Sequence, residues 1–460
     1  MLQDIVTPFK ARIDGHTELR IQRNTSRMVG LVSGNITQNA SSDVIGFSSR
    51  VYDKGYWGFA SSADYGGDAA AGVIETARRN AAFMSSKLGE KQPALPRAQA
   101  GRLQTKAVEN DSKQKVILDY ARAVDDYIAR KYPDLTARRV VAGGDAIEKH
   151  IAVSDGADGY SLVPRSRVYC QLTTKAGDGA VIEYGDYLGE GPGYFSDLFD
   201  APESLFTGVD AIYEVLMRKR DGVYAQAGVR EVVLDSKLAG ILAHEAIGHT
   251  TEADLVLGGS VAGPYLGKQV ASGIVTLVDF ANNILGQDAP QPIFVDDEGI
   301  VARDVTIIED GVLKAYMHNR ETALYFGHEP TGNARAYLYS DEPLVRMRNT
   351  AILPGKDKLA DMIASIDDGY YLTHTGNGQA DLTSEFMFSV TMGYEIKNGR
   401  LGCAIRDTTI SGVAFDLLQT VTMLSDEMSW SSSGMCGKKQ QMPVGMGGPA
   451  VKCSVNMGGR

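Results

Sequence analysis

The sequence has few cysteines and no long apolar run. Its 460 residues include only four cysteines, too few for a disulfide framework in so long a chain. No stretch approaches the roughly 20 apolar residues that a membrane helix needs, and the first residues lack the basic start and apolar core of a secretory signal. We therefore expect a cytoplasmic protein that keeps its cysteines reduced.

A block of basic residues is also absent. Lys and Arg total 46 against 57 Asp and Glu, and the net charge of -11 is spread along the chain. Because nothing concentrates positive charge against phosphates, we expect neither a nucleic acid nor a membrane as a partner. The length allows more than one sizeable core and predicts two or three domains.

Hydrophobic periodicity predicts an α+β fold in three parts. Alternating residues and an amphipathic helix from Ala69 to Leu88 indicate an N-terminal α+β domain over 1-101. A helix from Lys115 to Lys131, followed by strands and glycine turns, indicates a middle α+β domain over 102-226. Residues 227-460 predict a mostly antiparallel β domain. Its one early helix begins near Ser236, whose hydroxyl can cap the first turn.

That early helix carries the residue types of a zinc hydrolase. His244 is followed directly by Glu245, and His249 comes five residues after His244. Two imidazoles can hold a metal ion while the carboxylate handles its water. Histidines four residues apart are offset by about 40° around a helix, whereas five residues give about 140°. Both can bind one ion only if the helix widens to a π turn or breaks near Gly248.

The residues alone leave a second interpretation open. His244 and His249 would lie on different helix faces, one exposed and one in a buried hydrogen bond, with Glu245 as a solvated charge. Further stretches of the chain decide between the two. They are Asp296-Asp297-Glu298-Gly299, Ile308-Glu309-Asp310-Gly311, Pro330-Thr331-Gly332-Asn333, Arg346-Met347-Arg348-Asn349-Thr350, Cys436-Gly437-Lys438 and Pro443-Val444-Gly445.

Together with the histidine segment, these stretches resemble the TldD/PmbA family of bacterial metalloproteases. The segment matches that family's H-E-x-x-x-H motif, and the likeness covers most of residues 230 to 452, with a weaker likeness over 20 to 90. TldD-type chains have the motif and PmbA-type partners generally lack it. The chain is therefore similar to the TldD side.

The resemblance implies one zinc ion per chain, held by His244, His249 and Cys436. A catalytic zinc takes three protein ligands and leaves a fourth position open. On the residues alone, Cys436 is as consistent with a small buried thiol, and Glu252 is a comparable ligand candidate. Glu245 is the expected general base for hydrolysis of a peptide bond.

Other polar residues in these stretches have two interpretations each. Glu252 and Asp254 are either solvated charges after the histidines or carboxylates that orient an imidazole or the substrate. The side chains of Asn333, Arg346, Arg348 and Asn349 either bind substrate or partner, or make local hydrogen bonds. The sequence assigns none of them a catalytic role.

The resemblance also implies the substrate and the partner. We expect a peptide or an unfolded protein segment as substrate, and a dimer, with itself or with a PmbA-type paralogue. One alternative is a non-catalytic zinc-binding or partner-binding subunit, although a structural site has no need for Glu245. Another is a zinc hydrolase that acts on non-peptide amides.

Overall fold

The computed structural model describes residues 2–66, 68–89, 95–98, 101–104 and 112–459. Within these residues the first sheet has seven strands: β1 (His16–Val32), β2 (Asn35–Asp53), β3 (Tyr56–Ser62), β4 (Gly101–Gln104), β5 (Ala137–Val153), β6 (Ala157–Lys175) and β7 (Val181–Pro192). Their order is β3-β2-β1-β5-β6-β4, and β7 pairs with β6. Strands from 1-101 and 102-226 thus share one sheet. The division into 1-101, 102-226 and 227-460 stays a prediction.

The C-terminal part supplies the remaining strands. They are β8 (Gly228–Leu234), β9 (Leu277–Phe280), β10 (Asn283–Ile284), β11 (Gln287–Asp288), β12 (Val305–Glu309), β13 (Val312–Leu313), β14 (Ala334–Arg335), β15 (Leu344–Val345), β16 (Asn349–Ile352), β17 (Asp368–Ala380), β18 (Glu385–Lys397), β19 (Arg400–Ile405), β20 (Thr408–Val413), β21 (Met423–Cys436) and β22 (Met442–Met457). Strands β10 with β11, and β14 with β15, form two small hairpins, and the others form the second sheet.

The second sheet closes on itself at one end. Its order is β13-β12-β9-β16-β22-β20-β18-β17-β8, with β19 on β18 and β21 on β22. Because β8 also pairs with β22, the strands β8, β17, β18, β20 and β22 form a ring. Most pairs are antiparallel, whereas β8 with β17 and β16 with β22 are parallel. The predicted α+β class with a mostly antiparallel β C-terminal part is confirmed.

Helices cover the sheets. They are α1 (Leu2–Val6), α2 (Ala69–Leu88), α3 (Gln114–Lys131), α4 (Phe195–Leu198), α5 (Phe206–Arg220), α6 (Ser236–Ile241), α7 (Ala253–Leu257), α8 (Arg320–Phe326), α9 (Leu359–Ala364) and α10 (Ala414–Gln419). Helix α2 has the predicted bounds, and α3 begins one residue earlier than predicted. In the described part of the chain, no helix combines the length and apolar character that crossing a bilayer requires.

Helix α6 begins where predicted, although its cap differs. The side chain of Asp235 accepts a hydrogen bond from the backbone N–H of Leu238 at 2.8 Å, so Asp235 rather than Ser236 caps the helix. A carboxylate at this position also interacts favourably with the helix dipole. Leu238 and Ile241 are buried in the largest apolar core, and the helix packs against strands of the second sheet.

Buried ion pairs join the first sheet to the C-terminal part. Arg320 on α8 contacts Glu18 of β1 at 3.2 Å and Asp155 at 3.0 Å. Arg50 of β2 contacts Glu298, whose carboxylate is completely buried. Buried charges are costly unless they are paired. Separating the first sheet from the C-terminal part would break these pairs and is therefore unfavourable.

Candidate metal centre

The histidine motif lies where the helix changes pitch twice. Helix α6 continues as a π turn over Leu242–Gly248 and then as a 3₁₀ turn over His249–Thr251. The wider π turn places both imidazoles on the same side of the helix. Their ring centroids lie 5.2 Å apart, and the ring planes make an angle of 78°. The predicted irregularity is confirmed, and the interpretation that placed the two histidines on different faces is wrong.

Glycine at position 248 makes room for this turn. A Cβ atom there would lie 1.9 Å from the sulfur of Met347, closer than any contact allows. Met347 is completely buried and therefore has little freedom to move away. The π turn and the Met347 side chain fit together only because residue 248 has no side chain.

Cys436, at the end of β21, joins the two histidines. Its Sγ lies 3.2 Å from Nε2 of His249, and one ligand atom from each of His244, His249 and Cys436 lies within 4.8 Å of the others. Nearly two hundred residues separate Cys436 from the helix, and the pairing of β21 with β22 brings it there. The structure thus brings together all three residues that the sequence predicts as ligands.

The donor set fits a zinc ion. His244 is buried, yet neither of its ring nitrogens has a hydrogen-bond partner among the described residues. Burial alone would raise the pKa of Cys436, but the two neighbouring imidazoles lower it to about 4. A buried imidazole without a hydrogen-bond partner destabilises the folded protein. Together with a thiol that readily ionises, it offers suitable donor atoms for a metal ion. Two nitrogens and one sulfur match the ligand preference of zinc.

The two glutamates of the segment lie at opposite edges of the His249 ring. Oε2 of Glu245 is 3.7 Å from Nε2, the nitrogen that faces Cys436, and its side chain is 21% exposed. Oε2 of Glu252 is 2.9 Å from Nδ1, and its side chain is completely buried. Glu245 therefore borders the candidate metal position on the accessible side. Glu252 orients the ring from behind and lies outside the cluster of ligand atoms.

Lys438 holds the acidic residues behind His249. Its Nζ lies 2.7 and 2.8 Å from the two carboxylate oxygens of Asp254 and 3.3 Å from Glu252. Burial would raise the pKa of Glu252, but Lys438 and His249 lower it to about 2. Burial would lower the pKa of His249, but Glu252 and Cys436 raise it well above its ordinary value. Ionised Glu252 holds a proton on Nδ1 of His249, so Nε2 is the ring nitrogen that faces Cys436.

Arg346 fixes the loop that carries Cys436. This completely buried guanidinium donates to the backbone carbonyl of Cys436 at 3.0 Å and to those of Lys438 and Gln440 at 3.2 and 3.0 Å. Sequence reasoning assigned no role to Lys438 and missed Met347. Both residues lie in the stretches that resemble the family, and this location is the one feature of the sequence that could have marked them as part of the site.

The other polar candidates make local hydrogen bonds. Arg348 is buried and pairs with Asp279 at 2.8 Å. The side-chain amide of Asn333 donates to Asp279 and to the carbonyl of Arg346, and that of Asn349 donates to neighbouring backbone carbonyls. All three are completely buried. Of the two interpretations of these residues, local hydrogen bonding is the one that the structure supports.

The two sheets, and a candidate metal centre on the π turn that follows α6, define the class of protein. The chain matches three family models: PmbA/TldA metallopeptidase domain 1 over residues 17–81, the central domain over 108–218 and the C-terminal domain over 227–459. The chain belongs to the TldD/PmbA family of metallopeptidases.

Individual relatives agree with this membership. The chain is 31% identical to a metalloprotease of Methanocaldococcus jannaschii over 96% of each chain. It is 34% identical to the zinc metalloprotease TldD homolog of Saccharolobus solfataricus over 64% of each chain, so it matches less than two thirds of that relative. In fold it is similar to TldE from Thermococcus kodakarensis, with a TM-score of 0.76 and 18% identity over 100% of this chain and 99% of that one.

Proposed function

We propose that this chain is a zinc-dependent peptidase that hydrolyses peptide bonds in peptides or unfolded protein segments. The observation that carries the proposal is the convergence of His244, His249 and Cys436 next to the partly exposed carboxylate of Glu245. Membership of a metallopeptidase family and the names of the relatives support the same class of activity.

The three ligand residues have distinct parts in holding the ion. Cys436 would contribute a thiolate, and the two imidazoles would contribute neutral nitrogens. Zinc bound there would supply a Lewis acid that acidifies water and polarises a carbonyl group. A thiolate donates more charge than a third imidazole would, which softens that Lewis acidity and leaves more of the work to the base.

Glu245 is the proposed general base. Its carboxylate accepts a proton from the attacking water and returns it to the leaving amine of the cleaved peptide. The position of Glu245 suits this role because it borders the Nε2 edge of His249 without being among the three clustered ligands. Glu252 and Lys438 keep the His249 ring in place during the reaction.

We also propose that the chain works as a dimer, with itself or with a PmbA-type paralogue. The likeness of its fold to TldE is consistent with related chains that share one architecture. Light scattering of the purified chain, alone and mixed with a paralogue that lacks the histidine motif, tests this part. A monomer in both samples would contradict it.

The activity is tested by metal analysis together with cleavage assays on casein, short peptides and a non-peptide amide. We expect about one zinc per chain, cleavage of the peptide substrates, loss of cleavage after chelation and recovery with added zinc. Zinc without any cleavage would contradict the peptidase and favour a binding subunit. Cleavage of the amide alone would favour a different zinc hydrolase.

A further inference from the structure

A large cavity lies between the first sheet and the metal-bearing helix. It has a volume of about 640 Å³, within the range of roughly 300–1,000 Å³ that is usual for ligand pockets. One wall comes from β6 and β7, and the opposite wall includes Ile241 of α6 and Ser431 of β21. Ile241 precedes the π turn, and Ser431 lies on the strand that ends at Cys436.

The cavity is close enough to the metal centre to receive part of the same peptide. Glu245 follows Ile241 by four residues, about 6 Å along a helix. Cys436 follows Ser431 by five residues, at most about 17 Å along a strand. An extended peptide advances about 3.3 Å per residue, so these distances correspond to two to five residues of substrate.

Acidic side chains dominate the charged groups that line the cavity. Its two lysines are already paired, Lys237 with Asp186 at 2.6 Å and Lys219 with Asp407 at 2.7 Å. His374 also contacts Asp186, at 2.8 Å. Two further carboxylates, those of Glu183 and Glu190, also line the cavity.

The side-chain carboxylates of Glu183 and Glu190 have no ion-pair partner within 4 Å among the described residues, although Nζ of Lys219 donates to the backbone carbonyl of Glu183 at 2.8 Å. Glu183 accepts hydrogen bonds from the side chains of Gln171 and Thr173. Glu190 accepts one from the backbone N–H of Ser433 at 2.8 Å and a longer one from the hydroxyl of Ser431 at 3.5 Å. Arg167 lies opposite Glu190 on the neighbouring strand, but its guanidinium donates to the carboxylate of Asp145 instead. The cavity therefore has two carboxylates whose charge is not compensated.

Tyrosine rings supply the apolar part of the walls. Tyr169 and Tyr187 lie against each other edge to face, with centroids 5.3 Å apart, and Tyr184 lies against His374. Aromatic faces accept both the methylene stem and the charged head of a lysine or arginine side chain. Glutamate carboxylates and tyrosine rings together match a long cationic side chain.

We infer that this cavity is a specificity pocket for a lysine or arginine side chain of the peptide substrate, two to five residues from the cleaved bond. The inference rests on the proposed peptidase function, which it extends to a substrate preference. Glu190 and Glu183 provide the charge selection, and the three tyrosines contact the stem of the side chain.

The test measures binding of fluorescent peptides to the metal-free chain at pH 8 by anisotropy. In each peptide one position carries lysine, norleucine or glutamate, and the position moves along the sequence. We expect one position at which lysine binds on the order of tenfold more tightly than glutamate. The preference should disappear in the double variant Glu183→Gln, Glu190→Gln, in which glutamine keeps an acceptor oxygen for the existing hydrogen bonds.

Glu214→Gln is the control for loss of a carboxylate outside the cavity, because this exposed glutamate lies on α5 and is not part of the lining; it removes one negative charge, half of the change in the double variant. Equal affinities at every position, or a preference that survives in the double variant, would overturn the inference. In the unmodified chain, 0.5 M salt should weaken the lysine preference, which tests it even if the double variant does not fold.

Cleavage of the same peptides by the zinc-loaded chain separates this inference from the proposed function. Cleavage without any lysine preference would overturn the pocket while leaving the peptidase intact. Selective binding of the lysine peptide without cleavage would overturn the peptidase and leave the pocket as a binding site.

Discussion

At the residue scale, one sulfur atom completes the candidate ligand set. Replacing Cys436 by serine leaves a hydroxyl that does not ionise near neutral pH, so two histidines remain as ligands. We expect Cys436→Ser to fold and to hold less than about one zinc per ten chains, measured by elemental analysis. Cys403→Ser is the control, because Cys403 is exposed and does not belong to the cluster of His244, His249 and Cys436.

Full zinc occupancy in Cys436→Ser would contradict the assignment of the third ligand. Glu252 would then be the next candidate, although in the structure its carboxylate contacts Nδ1 of His249 and not the nitrogen that faces Cys436.

The carboxylate behind His249 gives a second prediction at this scale. Glu252→Gln keeps an acceptor for Nδ1 but removes the charge that holds the proton there and that pairs with Lys438. We expect zinc affinity to fall about 10–100-fold, measured by competition with a chelator. A change of less than twofold would contradict an orienting role for Glu252. Glu214→Gln should bind zinc like the unmodified chain.

The site residues themselves were predictable to different degrees. His244, Glu245 and His249 form a local pattern that chemistry can interpret from the sequence. Cys436 came from the family resemblance, since nothing in the spacing connects it to the helix. Met347 was not predictable, because its fit against Gly248 depends on packing between distant segments.

At the element scale, the π turn is the feature on which the site depends. In Gly248→Ala the new methyl group would meet the sulfur of Met347, so we expect a loss of stability of about 1–3 kcal/mol and weaker zinc binding. Thermal unfolding and chelator competition measure the two effects. Stability and zinc affinity equal to those of the unmodified chain would contradict the packing account.

Two further variants make this test specific. Gly72→Ala lies in helix α2 with no atom within 4 Å of the added Cβ, and we expect it to be neutral or slightly stabilising. Combining Gly248→Ala with Met347→Ala makes room for the methyl group, so the double variant should lose less stability than the sum of the single variants.

Elements were predictable where the signal is local. The apolar periodicity of α2 fixed its bounds because one face of that helix is buried. The cap of α6 was misplaced by one residue, since Asp235 and Ser236 are both good caps and only the geometry selects one. The pairing of β8 with both β17 and β22 was beyond the sequence, because these strands lie far apart along the chain.

At the scale of the whole molecule, buried ion pairs connect the first sheet to the part that bears the site. Arg320→Met would leave Glu18 and Asp155 without this partner inside the protein. We expect a loss of about 3–5 kcal/mol in the free energy of unfolding, measured with denaturant. Lys397→Met breaks an exposed pair with Asp368 and should change stability little. Equal effects of the two variants would contradict the account.

The most direct test of the peptidase is Glu245→Ala, compared with the unmodified chain at equal zinc content. Glu245 borders the ligand cluster without belonging to it, so zinc and fold should be kept while the rate of peptide cleavage falls on the order of 10²–10⁴-fold. Cleavage within a few-fold of the unmodified rate, at the same zinc content, would contradict Glu245 as the base and with it the proposed mechanism.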